Sequence, residues 1–211
     1  MKISNEVIKL DCTKGSYTYA VIGADGVTLI DTSRPGKGKA ILSELAVHDI
    51  KPSEIKRILL THHDIDHIGN AAFLQEHTGC EIYIHPNDYP YVMEDKKREG
   101  IKRFFSLIIK VQKPREIKRI IDDMRGEFVI ISSPGHTKGH TAYRFRNILF
   151  VGDLIISKDG RVTKMPPIMI WDKALSLNSI KSLPVEGVEW LCMAHGEPVS
   201  ITAWNEFIKN L

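Results

Sequence analysis

Apolar and polar residues along this chain switch repeatedly between the two-residue period of strands and the wider spacing of helices. Runs with strand character cover residues 16–22, 27–30, 58–60, 81–85, 127–131, 141–145, 148–151 and 188–193. Helical spacing covers residues 39–49, 71–77, 172–183 and 203–211. Helices and strands therefore alternate along the chain, which predicts an α/β fold.

One of these strands runs directly into an unusually polar loop. The apolar run Ile58-Leu59-Leu60 is followed by three histidines and two carboxylates within six residues, from His62 to His67. Imidazole nitrogen and carboxylate oxygen together suit zinc, and also iron or manganese. The loop is therefore a candidate metal site, and the alternative is a polar loop that happens to be rich in histidine.

This loop resembles the signature His-x-His-x-Asp-His of the metallo-β-lactamase superfamily. His62, Asp66 and His67 match that signature, whereas Asp64 stands where the family has its second histidine. His63 fills a position that does not normally bind metal, and it is the rival of Asp64 as a ligand.

Three later stretches are similar to the remaining motifs of the superfamily, and each follows a predicted strand. They are Pro-Gly-His-Thr-x-Gly-His with His136 and His140, Gly-Asp with Asp153, and His-Gly with His195. The order of the motifs and their places at strand ends extend the resemblance over nearly the whole chain. It implies a four-layer αββα sandwich of the metallo-β-lactamase type and a single domain over residues 1–211.

The resemblance also implies two divalent metal ions, zinc or iron with manganese as a further option. The first would be held by His62, Asp64, His136 and Asp153, and the second by Asp66, His67, Asp153 and His195. Asp66 would in addition guide the proton. Asp31, at a predicted strand end, and His140 would support the ligands without binding metal; a simple turn aspartate is the alternative for Asp31.

The implied activity is hydrolysis of a small ester, thioester, lactone or phosphoester by a metal-bound hydroxide. A diiron-type oxidoreductase is the first alternative, since flavodiiron proteins carry a glutamate at the position of Asp64; they also carry a flavodoxin-like domain, which this chain lacks. Hydroxyacylglutathione hydrolases carry a helical C-terminal domain, whereas only sixteen residues follow His195 here. No GxSxG elbow, dinucleotide fingerprint or phosphate loop points to another enzyme class.

Residues 87–119 differ in character from the rest of the chain. Ten basic residues lie between Lys96 and Arg119, interleaved with apolar ones such as Phe104, Phe105 and Leu107. The pattern predicts a helical insertion, two amphipathic helices broken near Pro114, that caps the active site or forms a homodimer contact through residues 90–119. A solvated face on packed helices is the plain alternative. A nucleic-acid-binding module or nuclease is a further alternative, for which salt-dependent binding would be the sign.

Composition also bears on the expected binding partner and cellular location. The net charge of +3 is too small to indicate nucleic acid by itself. The partner that the resemblance to the superfamily implies is a small-molecule substrate. Cys12, Cys80 and Cys192 are too widely spaced for a disulfide framework, and with no signal peptide expected they favour the cytoplasm. No apolar run approaches the ~20 residues that a membrane span needs, so no membrane partner is expected.

Overall fold

The computed structural model describes residues 1–120 and 127–211. The chain divides into two compact units, Met1–Ile120 and Ile121–Leu211. Each unit is built on its own β-sheet and has its own apolar core. In the part of the chain described, no helix combines the length and the apolar character that crossing a membrane requires.

The first unit contains a six-stranded sheet in the order β1-β2-β3-β4-β5-β6. Its strands are β1 (Val7–Lys9), β2 (Tyr19–Gly23), β3 (Gly26–Ile30), β4 (Ile55–Leu59), β5 (Glu81–Ile84) and β6 (Lys118–Arg119). The first three strands are antiparallel, and β3 to β6 are parallel. Parallel neighbours place the ends of β3 and β4 at the same edge of the sheet.

Helices connect the parallel strands of the first unit. They are α1 (Gly38–Val47), α2 (Ile65–Ile68), α3 (Ala71–Thr78), α4 (Tyr89–Val92) and α5 (Gly100–Ile108). Ile41 and Leu45 of α1 and Leu74 of α3 are buried in one cluster with Ile58 and Ile82 of the sheet. The apolar face predicted for residues 39–49 is therefore the face that packs on the sheet.

The prediction of two helices in the insertion is wrong for its second half. Helix α5 forms, but residues 110–117 contain no helix, and Lys118–Arg119 add strand β6 to the sheet edge. Pro114 has no amide hydrogen to donate and disfavours helical geometry at Lys113, so the chain stays extended there. Phe104, Leu107 and Ile108 of α5 are 60%, 73% and 66% exposed.

The second unit contains a five-stranded sheet in the order β13-β12-β9-β8-β7 and a separate hairpin. Its strands are β7 (Phe128–Ser132), β8 (Thr141–Phe145), β9 (Ile148–Gly152), β10 (Ile155–Lys158), β11 (Arg161–Lys164), β12 (Trp190–Met193) and β13 (Val199–Ser200). Its helices are α6 (Lys173–Lys181) and α7 (Ile201–Lys209). Leu149, Leu191, Ile180 and Trp204 belong to its apolar cluster.

Three strands of the second unit point in the same direction. Strand β9 is antiparallel to β8 and parallel to β12, and β7 is antiparallel to β8. The carboxyl ends of β7, β9 and β12 therefore share one edge of the sheet, and they lead to His136, Asp153 and His195. The hairpin β10–β11 was not predicted, although Asp159-Gly160 at its turn, both with positive φ, is a common hairpin signal.

Asn70 fastens the loop after β3 to the start of α3. Its Oδ1 accepts hydrogen bonds from the backbone N–H groups of Lys37 and Gly38, both at 2.8 Å. Its Nδ2 donates to the backbone oxygens of Thr32 and Arg34. Asn70 is buried, so removing its amide would leave these backbone groups without hydrogen-bond partners. Water could not easily take the place of the amide.

Replacing Asn70 should therefore destabilise the protein. We expect Asn70→Ala to lower the free energy of unfolding by about 3 kcal/mol in urea denaturation, since several hydrogen bonds are lost together. Asn205→Ala, at an exposed position of α7, is the matched control and should change it by less than about 0.5 kcal/mol. Equal stability of the two variants would contradict the fastening role of Asn70.

Candidate metal centre

A buried carboxylate organises the polar loop of the first unit. Asp31 follows β3, and its Oδ1 accepts the backbone N–H of Thr61 at 2.8 Å. Its Oδ2 accepts the Thr61 hydroxyl at 2.7 Å and lies 2.8 Å from Nδ1 of His67. Asp31 has a φ of 57°, a left-handed conformation that aspartate adopts more readily than most residues. These bonds join the ends of the parallel strands β3 and β4.

The same bonds set the tautomers of two histidines. Nδ1–H of His67 donates to Asp31, which leaves Nε2 as the ring nitrogen with a lone pair. The Thr61 hydroxyl donates to Asp31 and lies 3.0 Å from Nδ1 of His62, so it accepts the proton of that nitrogen. The imidazole rings of His62 and His67 lie 3.9 Å apart between their centroids. Carboxylate-supported histidines of this kind are the usual metal ligands.

Asp64 is the N-cap residue of α2, yet its side chain caps no backbone group of that helix. Oδ2 of Asp64 lies 3.4 Å from Nε2 of His62 and 2.7 Å from Nζ of Lys102. Oδ1 lies 3.7 Å from Nε2 of His63. Each carboxylate oxygen of Asp64 therefore faces a nitrogen atom of another side chain.

His63 makes a different set of contacts from its neighbour His62. Its Nδ1 lies 2.9 Å from Oδ2 of the buried Asp88, and its backbone N–H donates to the same oxygen. Its ring stacks on Tyr91 at 4.3 Å between centroids. Asp88 could not be predicted as a partner of the histidine loop, because no local pattern in residues 85–90 indicates it.

The backbone of His63 is held by the insertion. The guanidinium of Arg98 donates to the carbonyl oxygen of His63, with Nη2 at 2.8 Å. Burial lowers the pKa of Arg98, and the nearby negative charge of Asp64 opposes that shift. The guanidinium remains protonated at neutral pH, because its ordinary pKa is far above that range.

Asp66 and His67 occupy the short helix α2. Nε2 of His67 lies 4.0 Å from Oδ1 of Asp66, and the Asp66 side chain is 32% exposed whereas His67 is buried. The backbone oxygen of Asp66 accepts the hydroxyl of Ser16 at 2.5 Å. Among the four candidate ligands of the first unit, Asp66 is therefore the one most exposed to solvent.

In the second unit, two histidines converge on one carboxylate oxygen. Oδ2 of Asp153 lies 3.6 Å from Nε2 of His136 and 3.3 Å from Nε2 of His195. Asp153 and His136 are buried, and the His195 side chain is 29% exposed. The parallel ends of β7, β9 and β12 account for this meeting of residues that are distant in sequence.

His140 is engaged through both ring nitrogens. Its Nε2 accepts the backbone N–H of Asp153 at 3.1 Å, so the proton of the ring resides on Nδ1. Nδ1 lies 2.9 Å from the hydroxyl of Ser133. This arrangement leaves no lone pair for a metal, and it places His140 directly behind Asp153.

The donor set of each unit fits a divalent metal ion. Metal–nitrogen and metal–oxygen bonds of about 2.0–2.2 Å place neighbouring donors of a tetrahedral site about 3.3–3.6 Å apart. The distances from Asp64 to His62 and from Asp153 to His136 and His195 run from 3.3 to 3.6 Å. Imidazole and carboxylate are ligands that zinc, iron and manganese all accept.

Asp31 should be required for tight metal binding. We expect Asp31→Asn to weaken zinc affinity by about 10–100-fold in a competition titration with a chelator, because the amide no longer holds His67 in its tautomer through a charged acceptor. Asparagine tolerates the positive φ, so the fold should be kept. Asp49→Asn is the control, since Asp49 also has a positive φ of 61° but is exposed. Unchanged zinc affinity in Asp31→Asn would exclude this support.

The chain is similar in sequence to bacterial proteins named hydroxyacylglutathione hydrolase. A hydroxyacylglutathione hydrolase of Pectobacterium carotovorum subsp. carotovorum (strain PC1) is 31% identical over 162 residues, which are 76% of this chain and 55% of that protein. The chain spans about half the length of the first curated relatives that it matches. The predicted hydrolase class agrees with the names of these relatives.

Solved structures with a similar fold bear on the architecture of the chain. A metallo-beta-lactamase family protein of Thermus thermophilus superposes with a TM-score of 0.75 at 19% identity, over 99% of this chain and 80% of that one. The protein TTHA1623, in a di-iron-bound form, superposes with a TM-score of 0.69 at 25% identity, over 93% and 94%. The predicted α/β fold of the metallo-β-lactamase type is confirmed by these likenesses. The family model described as the metallo-beta-lactamase superfamily matches residues 13–195, and the chain belongs to that superfamily.

Proposed function

We propose that this protein is a metal-dependent hydrolase with two divalent ions, acting on a small thioester. The observation that carries the proposal is the position of Asp153, whose Oδ2 faces Nε2 of both His136 and His195. A carboxylate placed between two imidazole donors is suited to bridge two cations. The names of the relatives support the thioester, since a hydroxyacylglutathione is one.

The proposed ligands follow the order of motifs in the superfamily. One ion is assigned to His62, Asp64, His136 and Asp153, and the other to Asp66, His67, Asp153 and His195. Asp31 and His140 are proposed to orient these ligands through the hydrogen bonds described above. Two bound cations would activate water and polarise the carbonyl of the substrate.

The exposure of each proposed ligand indicates its role in the reaction. Asp66 and His195 are the most open of the proposed ligands in their units, at 32% and 29% exposed, so the substrate would approach beside them. A carboxylate at Asp66 can accept the proton of an attacking water and pass it to the leaving thiol. The buried His62, His67 and His136 would remain fixed, because their surroundings exclude water.

The carboxylate of Asp64 would influence which metal ion the site prefers. A carboxylate is a harder donor than the imidazole of the usual signature, which widens the choice from zinc to iron and manganese. The di-iron-bound form of TTHA1623 supports iron as an option for this fold. A diiron-type oxidoreductase is the second candidate, and it would need a separate electron donor.

A cavity beside the polar loop supports a negatively charged substrate. It has a volume of about 610 Å³ and is lined in part by Ile68 of α2 and Tyr91 of α4. Six of its lining residues are basic and one, Glu94, is acidic; the basic ones are Lys96, Lys97, Arg98, Arg103, Lys110 and Lys113. A small anionic thiol carrier fits this volume and charge. Nucleic acid binding here and a homodimer contact through residues 90–119 stay predictions.

The cellular location is part of the same proposal. Burial raises the pKa of the Cys12 thiol to about 12, and the neighbouring Glu44 adds to that shift. Cys80 and Cys192 are buried, and all three cysteines are free thiols. A reducing compartment, the cytoplasm, suits such a set.

Metal content and substrate choice test the proposed function together. We expect two divalent ions per chain by elemental analysis, and faster hydrolysis of anionic thioesters than of neutral thioesters, oxygen esters, lactones or phosphodiesters. His136→Ala should lose about one ion and at least about 100-fold in kcat/KM, since a ligand is removed. His48→Ala, outside both clusters, is the control. A metal-free protein, or His136→Ala with full metal content and activity, would contradict the proposal.

Variants of the polar loop test which residue completes the first metal site. Asp64→His should keep two ions and shift preference toward zinc, because imidazole replaces a harder donor. Asp64→Ala should lose affinity at one site. His63→Ala should keep both ions, since Asp88 and Tyr91 already hold that ring. The reverse result, with metal lost only in His63→Ala, would reassign the ligand.

A further inference from the structure

Helix α5 of the insertion sends one lysine into the polar loop. Nζ of Lys102 lies 2.7 Å from Oδ2 of Asp64, and the two side chains are only 12% and 7% exposed. Such a buried pair interacts more strongly than the pairs on the protein surface, because water screens it less. Lys102 is therefore a direct neighbour of the Asp64 carboxylate, as His62 is.

The orientation of α5 is unusual for a helix on a protein surface. Phe104, Leu107 and Ile108 are well exposed, whereas Lys102 is turned toward the protein. An amphipathic helix ordinarily buries its apolar side. Here the helix contacts the loop through a charged side chain, and the hydrogen bond from Arg98 to the backbone of His63 holds the segment just before the helix against the same loop.

Lys102 contacts the oxygen that a metal ion would need. Oδ2 of Asp64 faces both Nζ of Lys102, at 2.7 Å, and Nε2 of His62, at 3.4 Å. A divalent ion held by His62 and that oxygen would lie within a few ångströms of the ammonium group. Two cations at such a separation repel each other strongly in a buried site.

The charges of the two residues also match the change in the family signature. A neutral histidine is replaced by Asp64, which adds one negative charge to the loop. Lys102 adds one positive charge at hydrogen-bond distance from it. The pair as a whole is therefore neutral, like the histidine whose place Asp64 takes.

We propose that Lys102 is an internal cation that competes with the divalent ion for Asp64. This inference rests on the proposed function, because it assumes that Asp64 is a ligand. Lys102 would weaken binding at the Asp64 site and leave the other site unchanged, so the two sites would fill in order. Lys102 is thus a positioning residue that acts on the metal through Asp64.

Metal affinity tests this proposal directly. We expect Lys102→Met to bind zinc and manganese about tenfold more tightly at one of its two sites, measured by chelator competition without any substrate. Lys102→Arg keeps the charge and should stay within about threefold of the parent protein. Lys110→Met removes a charge from an exposed position just beyond the same helix, and it controls for the net charge of the chain.

A double variant distinguishes competition from a general electrostatic effect. The Asp64→His background removes the carboxylate that Lys102 contacts at 2.7 Å, so Lys102→Met should then alter affinity by less than about twofold. Circular dichroism of each variant checks that the fold is kept. Unchanged or weaker metal binding by a folded Lys102→Met protein overturns the role of Lys102 while the proposed function stands. Absence of metal binding in the parent protein as well would remove both.

Discussion

The hydrogen bonds of Asp31 are the constraint on which the polar loop of the first unit depends. One carboxylate satisfies the backbone and side chain of Thr61 and the Nδ1–H of His67, and through Thr61 it also reaches His62. All of these groups are buried, so each would be costly to leave without a partner. The left-handed backbone at Asp31 carries a modest strain of about 1 kcal/mol, which these bonds offset.

Strand direction accounts for where the candidate ligands lie in each unit. In the first unit the parallel pair β3 and β4 brings Asp31 beside Thr61. In the second unit β7, β9 and β12 run in one direction, so three motifs far apart in sequence meet around Asp153. Polar side chains just past the carboxyl ends of parallel strands are free of the sheet's own hydrogen-bond pattern, which makes them available for chemistry. The same topology therefore produces two clusters of donors from two different sheets.

Most strands and most candidate ligands could be predicted from the sequence, because the patterns that mark them lie within short stretches of the chain. An apolar run followed by histidine or aspartate marks a strand and its polar end within ten residues. At three such ends the motifs that resemble those of the superfamily made His62, Asp153 and His195 candidate ligands. Contacts between distant segments left no such signal. Asp88 behind His63 and Lys102 on Asp64 depend on how the insertion folds back, which no short pattern encodes. The second helix of the insertion was predicted wrongly because Pro114 was taken as a break between two helices, whereas the chain forms no helix over residues 110–117 and then pairs Lys118–Arg119 with β5.

The insertion also shows how a surface segment can alter a buried site. Helix α5 has a strong apolar side, and packing alone would turn that side inward. The ion pair between Lys102 and Asp64 and the bond from Arg98 to His63 hold the opposite side against the loop instead. Such an arrangement leaves Phe104, Leu107 and Ile108 in solvent, a hydrophobic cost that the buried charges must offset. The orientation of the helix and the charge state of the loop are therefore coupled, so a change at Asp64 alters both the set of metal donors and the attachment of the helix.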